Sequence, residues 1–224
     1  MVDFSGEVER YFGRADGEQF PRLQAWEIIY DYVNDPRFQT WAELASEQNV
    51  EKTALHLGFF LSNWGMFRGS SGLMRSNLRF FRKMVEILFT QIPADLWNLH
   101  LDEFTEDACE HVKLLDCSLE KLRGHLEKIT TPTDTLVTKI LMGIWGECPA
   151  RDLYFEAGFR SVYPEMRVPR FSGEYMVGLN QLRVNENWSL PIKKTAGGNR
   201  YPAAKLIDMA FFEIGFRAKS GQKL

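Results

Sequence analysis

Four stretches of the sequence combine residue types that can hold an anion or break a bond. In Asn63-Trp64-Gly65-Met66-Phe67-Arg68-Gly69-Ser70-Ser71-Gly72, three glycines let backbone amides approach a ligand, Ser70 and Ser71 can donate or cap, and Arg68 and Arg75 supply positive charge. The helix start that follows adds roughly half a unit of positive charge. This is a phosphate site without being a Walker loop, because no Lys-Ser/Thr follows at the required spacing. Its structural counterpart is a tight interhelical turn with positive-φ glycines and a serine cap. The second stretch, Lys193-Lys194-Thr195-Ala196-Gly197-Gly198-Asn199-Arg200-Tyr201-Pro202, is another basic glycine loop feeding a helix. Two such loops would clamp two phosphates of one nucleic-acid backbone. In the third, Thr135 to Phe155, an apolar helix is broken at Gly146 and Pro149, and Asp152 opens the next helix. A carboxylate there has a plain role as cap and dipole partner. In the fourth, Asp208 lies within a helix apolar nearly all round, so it must be paired or carry a shifted pKa.

The arrangement helix–Gly146–x–x–Pro149–Ala150–x–Asp152–x–x–Phe155 resembles the segment that carries the catalytic aspartate in helix-hairpin-helix DNA glycosylases. On that resemblance Asp152 takes the aspartate's role in a base-binding cleft. The segment Ile129-Thr-Thr-Pro-Thr-Asp134 lacks the hairpin's Gly-x-Gly, and Asp134 stands where Schiff-base-forming members carry their lysine. Lys139 comes only thirteen residues ahead of Asp152. The resemblance thus implies a monofunctional enzyme, with Asp152 acting without a lysine nucleophile and needing no cofactor. The Asn63–Ser71 loop, Lys139–Phe155 and Tyr201–Phe216 together also look like a family of uncharacterised bacterial helical proteins, a likeness that implies no activity.

One carboxylate suffices chemically for such a reaction. Hydrolysis of a base–sugar bond passes through a cationic sugar, and a single Asp can stabilise that charge and orient or deprotonate water. The base must first be flipped out of the stack, at a cost of a few kcal/mol, into a pocket walled by aromatics. Trp64, Phe67, Trp145 and Tyr154 are the candidate walls, and Asp208 is the candidate acid/base partner of Asp152. Arg68, Ser70, Ser71, Arg75, Lys193, Lys194 and Arg200 are the candidate phosphate contacts. The expectation is a DNA-binding hydrolase of repair or bacterial antiviral defence. The alternative is a non-catalytic helical module that binds a protein partner or an anionic ligand. The first requires Asp152 and both basic loops to line one cleft.

The charge distribution fits either a nucleic-acid partner or solvated helix faces. Residues 1–65 carry 5 basic and 11 acidic side chains, residues 66–83 carry five basic and no acidic ones, residues 84–134 carry 4 and 11, and residues 135–224 carry 13 and 8. The net charge of −3 therefore conceals two positive blocks, each containing a glycine-rich loop. Local potential rather than net charge attracts a phosphate backbone. Cys109, Cys117 and Cys148 and the scattered His56, His100, His111 and His125 show no ligand spacing, so no metal is expected. Apolar runs fall far short of the roughly 20 residues that span a bilayer, and an acidic amino terminus argues against a signal peptide. A cytoplasmic protein with no membrane contact is expected, its oligomeric state left open.

The elements that must position these residues are helical. Apolar residues recur at three and four over Leu23–Val33, 51–66, 78–92, 103–128 and 202–217, with Leu55 and Phe59 expected to face inward. Trp41–Gln48, 150–160 and 173–186 read as shorter helices, and Thr131 or Thr133 caps a helix running to Trp145. No clean period-two alternation occurs outside 166–171. The prediction is one all-α globular domain, residues 1–224, of eight to ten helices. Residues 161–173 are the candidate subdomain join, which would set two helical lobes around a cleft.

Overall fold

A computed structural model describes residues 2–19, 21–68 and 72–221; Ser70 and Ser71 lie outside the described residues. Among the described residues the chain forms ten α-helices and no strand. They are α1 Phe4–Asp16, α2 Arg22–Val33, α3 Val50–Asn63, α4 Leu78–Glu86, α5 Asp95–Asn98, α6 Cys109–Leu126, α7 Asp134–Ile144, α8 Leu153–Val162, α9 Gly173–Asn185 and α10 Ala203–Ser220. No helix among the described residues is long and apolar enough to cross a membrane.

Helix α10 is the axis of the core, with residues 204–211 all buried. It crosses α8 at backbone contact because both carry a glycine there. A Cβ on Gly158 would fall 1.9 Å from the Phe211 carbonyl oxygen, and one on Gly215 would fall 1.9 Å from that of Tyr154. Helix α1 lies along α10 through Phe4, whose ring stands edge-on to Phe211 at 5.2 Å. On the other flank α7 is buried from Leu136 to Ile144, with Gly143 admitting the ring of Phe60 from α3. Trp26 of α2 ties to this layer by donating its indole N–H to the Met142 carbonyl at 2.9 Å.

Caps account for several helix starts. Thr133 accepts from the Leu136 amide and Ser172 from the Tyr175 amide, while Asn77 and Asp152 each accept two amides of the first turn. Three sequence expectations shift. Leu55 and Phe59 are 60% and 55% exposed. The buried stripe of α3 is Val50, Thr53, Ala54, Leu57, Phe60 and Leu61, continuing to Trp64, a richer apolar row one step out of phase with the expected one. The 103–128 run is broken, because Phe104 gives its carbonyl to Asn180 (3.1 Å) and a turn at Thr105–Ala108 precedes α6. The fourth long helix passes at Ile87 into a π-helical turn reaching Gln91.

Candidate functional site

Asp152 and Lys139 meet at the base of a cleft of about 290 Å³ between α1, the end of α3, α7, α8 and α10. Its walls are Tyr11, Trp64, Tyr154, Phe212 and Phe216, with Arg14 and Arg22 also lining it. The approach of the two charged groups follows from the connector between α7 and α8. Gly146 takes φ +71°, and a Cβ there would meet Pro202 at 2.6 Å, so the chain turns sharply against the start of α10. Side chains of α7 then fasten the returning strand of chain. Thr138 Oγ1 accepts from the Arg151 amide (2.9 Å), and Thr135 Oγ1 donates to the Arg151 carbonyl (2.7 Å). Asp208 completes the fastening by accepting from the Ala150 amide at 2.9 Å.

The two oxygens of Asp152 have separate jobs. Oδ1 accepts the Tyr154 and Phe155 amides at 3.0 and 3.1 Å, and Oδ2 stands 3.5 Å from Lys139 Nζ. The Lys139 ammonium also donates to the Trp64 carbonyl at 2.9 Å and lies 5.6 Å from the Trp64 ring centroid. Burial pushes the Lys139 pKa down, against the pull of Asp152 and Asp208, and Arg68 lowers it a little further. The cleft floor is thus an amine of reduced basicity beside a carboxylate with one oxygen uncommitted to the helix cap.

Trp64 is held on all sides. Its indole N–H donates to the Arg22 carbonyl at 3.0 Å, and Lys205 Nζ sits 4.6 Å from its ring. Tyr154 packs edge-on against Phe212 (5.0 Å) and Phe216 (5.7 Å). Arg14 lies over Tyr11, Phe212 and Phe216 at 5.0 to 5.4 Å, anchored by Glu213 at 2.9 Å and by Glu18.

Of the residues expected at a site, Asp152, Trp64 and Tyr154 come together here. Asp208 does not line the cleft. It is fully buried behind the floor, paired with Lys205 at 2.9 Å, and burial pushes its carboxyl up while Lys205 draws it down. It acts through the loop it fastens. Trp145 turns away into the core, its indole N–H on the Leu99 carbonyl at 2.8 Å, and Phe67 stacks on Phe81 at 5.7 Å, joining the 64–68 turn to α4. Arg68 and Arg75 are exposed. Lys193 is drawn to Glu9 (2.7 Å) and Phe12, exposed Lys194 pairs through its backbone with Arg200, and Arg200 lines a different cavity. Among the described residues the first basic loop lines the Asp152 cleft through Trp64 and the second does not, so the expected two-loop clamp is not formed and phosphate contacts at this cleft fall to the first loop and its neighbours.

Lys139, set aside because Asp134 rather than a lysine holds the Schiff-base position of the glycosylase segment, stands 3.5 Å from Asp152 once the connector folds back. Tyr11, Arg14, Arg22, Phe212 and Phe216 also went unread. Their one sequence signal is the i,i+4 spacing of Phe212 and Phe216 on α10. Among the described residues no group of three or more His, Cys, Asp or Glu is placed to hold a metal ion. No family model, curated protein or solved structure matches this chain.

Proposed function

We propose that this cleft releases a base from DNA, in the manner of a DNA glycosylase serving repair or antiviral defence. The observation that carries the reading is the Lys139–Asp152 pair at the floor of an aromatic-walled cleft. At about 290 Å³ the space is at the small end of ligand cavities, suited to a single flipped base stacked among Trp64, Tyr154 and Tyr11. Arg22, which lines the cleft, and Arg68, which acts electrostatically on Lys139, serve as contacts for flanking phosphates. As the base–sugar bond breaks, its electron pair leaves with the base and positive charge builds on the sugar beside Asp152 Oδ2. An oriented charge of this kind is worth about 100- to 1,000-fold in rate.

Lys139 extends the expectation of a single-carboxylate hydrolase. The lowered pKa of Lys139 increases its share of free amine, the form that acts as a nucleophile. Its nitrogen bonds to C1′ as the base departs with the bonding pair, and the proton lost from the new ammonium goes to the leaving base. The nitrogen lone pair then forms C1′=N as the C1′–O4′ bond breaks, O4′ takes that bonding pair and the remaining N–H proton, and an imine joins Lys139 to the opened sugar.

The test is incubation of the purified chain with DNAs bearing normal, damaged and modified bases, with abasic sites read by alkaline cleavage and imines trapped by borohydride. Base release is expected from at least one DNA, with binding that weakens steeply with salt as phosphate contacts release counterions. Asp152→Asn abolishes release and retains binding, and Lys139→Met abolishes trapping. A chain that leaves every DNA intact and shows no salt-dependent binding overturns the reading.

A further inference from the structure

A second cavity, of about 590 Å³, shares no lining residue with the Asp152 cleft, yet takes Glu147 from the same connector. Its size is that of a small-molecule site. Arg183 has its guanidinium held in place, Nε and Nη2 both donating to Asn180 Oδ1 at 3.1 and 2.9 Å, with no acid paired to it among the described residues. Arg200 is exposed, and its side chain has no hydrogen bond or ion pair among the described residues. Two guanidiniums are thus available to an anion. The buried Glu147 carboxylate accepts from His100 Nδ1 at 2.8 Å and from the Leu101 amide at 3.2 Å. Burial raises the Glu147 pKa and Glu147 raises that of His100, and the imidazole and the carboxylate together offer hydrogen-bonding groups at this wall. Two aromatic walls are stiffened from behind: Tyr30 stacks on Trp26 at 4.7 Å, and Trp188 on Phe4 at 4.2 Å.

We propose that this cavity is a second ligand site, and that it takes a nucleoside monophosphate. The base lies against Tyr30 and Trp188 with its hydrogen-bonding edge at the His100–Glu147 pair, and the phosphate is received by Arg200 and Arg183. The proposal does not depend on the reading of the Asp152 cleft.

Isothermal titration of the full chain with the purine and pyrimidine 5′-monophosphates, their nucleosides and inorganic phosphate tests it. At least one monophosphate is expected to bind with a Kd under about 1 mM, with its nucleoside and phosphate alone each weaker by about tenfold or more. Arg200→Ala weakens the complex about tenfold or more, and Arg200→Lys restores part of that loss, since a charged hydrogen bond is removed and then half-replaced. Lys139→Met leaves the affinity unchanged. No monophosphate binding, affinity indifferent to Arg200→Ala, phosphate binding as tightly as the nucleotide, or affinity lost in Lys139→Met would each overturn the assignment.

Discussion

Replacing Asp152 with Asn removes one negative charge from the cleft floor and little else. Asparagine caps a helix as well as aspartate, so the Tyr154 and Phe155 amides keep their acceptor. What changes is Lys139, whose side chain is 8% exposed and whose Nζ stands 3.5 Å from the lost carboxylate. Burial already lowers its proton affinity, and Asp152 is the foremost group opposing that effect. Without the counter-charge, the Lys139 pKa falls further below its ordinary value. Each unit by which the folded-state pKa drops further costs about 1.4 kcal/mol, in full at pH values below the new pKa and vanishing above the old one. Between the two the unfolded chain keeps the proton, so it binds more protons than the folded variant and stability rises with pH. The deficit of Asp152→Asn against wild type is therefore greatest near pH 7. It narrows by about 1.4 kcal/mol per pH unit until wild-type Lys139 also loses its proton, and then levels off. Urea unfolding followed by tryptophan fluorescence at pH 7, 8 and 9 measures the gap. A deficit that is constant from pH 7 to pH 9 refutes the coupling of Lys139 to Asp152. Asp152→Ala, which loses the cap as well, lies about 1 kcal/mol lower at each pH.

Gly158→Ala drives a Cβ to 1.9 Å from the Phe211 carbonyl oxygen, and backbone cannot yield as a side chain does. The expected cost is about 3 kcal/mol or more, read as a lower urea midpoint, whereas Gly178→Ala, at an exposed position of α9, meets nothing within 4 Å and stabilises by up to about 1 kcal/mol. Equal effects of the two would remove the close crossing of α8 and α10. For the buried pair Lys205–Asp208, with side chains 0% and 4% exposed, Lys205→Met alone strands a buried carboxylate at a cost of about 3–5 kcal/mol. Adding Asp208→Asn keeps an acceptor for the Ala150 amide and removes the stranded charge, so the double variant is more stable than Lys205→Met; additive losses in the double-mutant cycle would refute this.

Local rules carried the helices and failed where distant segments decide. Thr133 and Asp152 are caps because a short oxygen-bearing side chain ahead of an apolar run has free amides to satisfy, and no tertiary contact needs to be known. The inward face of α3 differs from the expected one because two overlapping stripes run along it, and the packing of α2, α4 and α7, the last with Gly143 open to Phe60, selects between them. The two basic glycine loops look alike along the chain, yet the second is steered elsewhere by Asp31, which binds Thr195, the Gly197 amide and Asn199.

The interval between Lys139 and Asp152 fails as a guide for a related reason. Separation along a chain fixes distance only within one regular element, and these residues flank a break. Thirteen residues of continuous helix would set them about 20 Å apart at 1.5 Å per residue. The turn at Gly146 and the bonds from Thr135 and Thr138 bring them to 3.5 Å instead. A better clue lay in composition at one position. Lys139 interrupts Leu136-Val137-Thr138 and Ile140-Leu141-Met142 on a helix with no polar face at that level. An ammonium is not buried there unless something waits to receive it. The first acid beyond Pro149 is Asp152, whose cap role needs only one of its two oxygens. Lone lysine and half-used carboxylate each have an ordinary explanation alone; together they define the floor of a cleft.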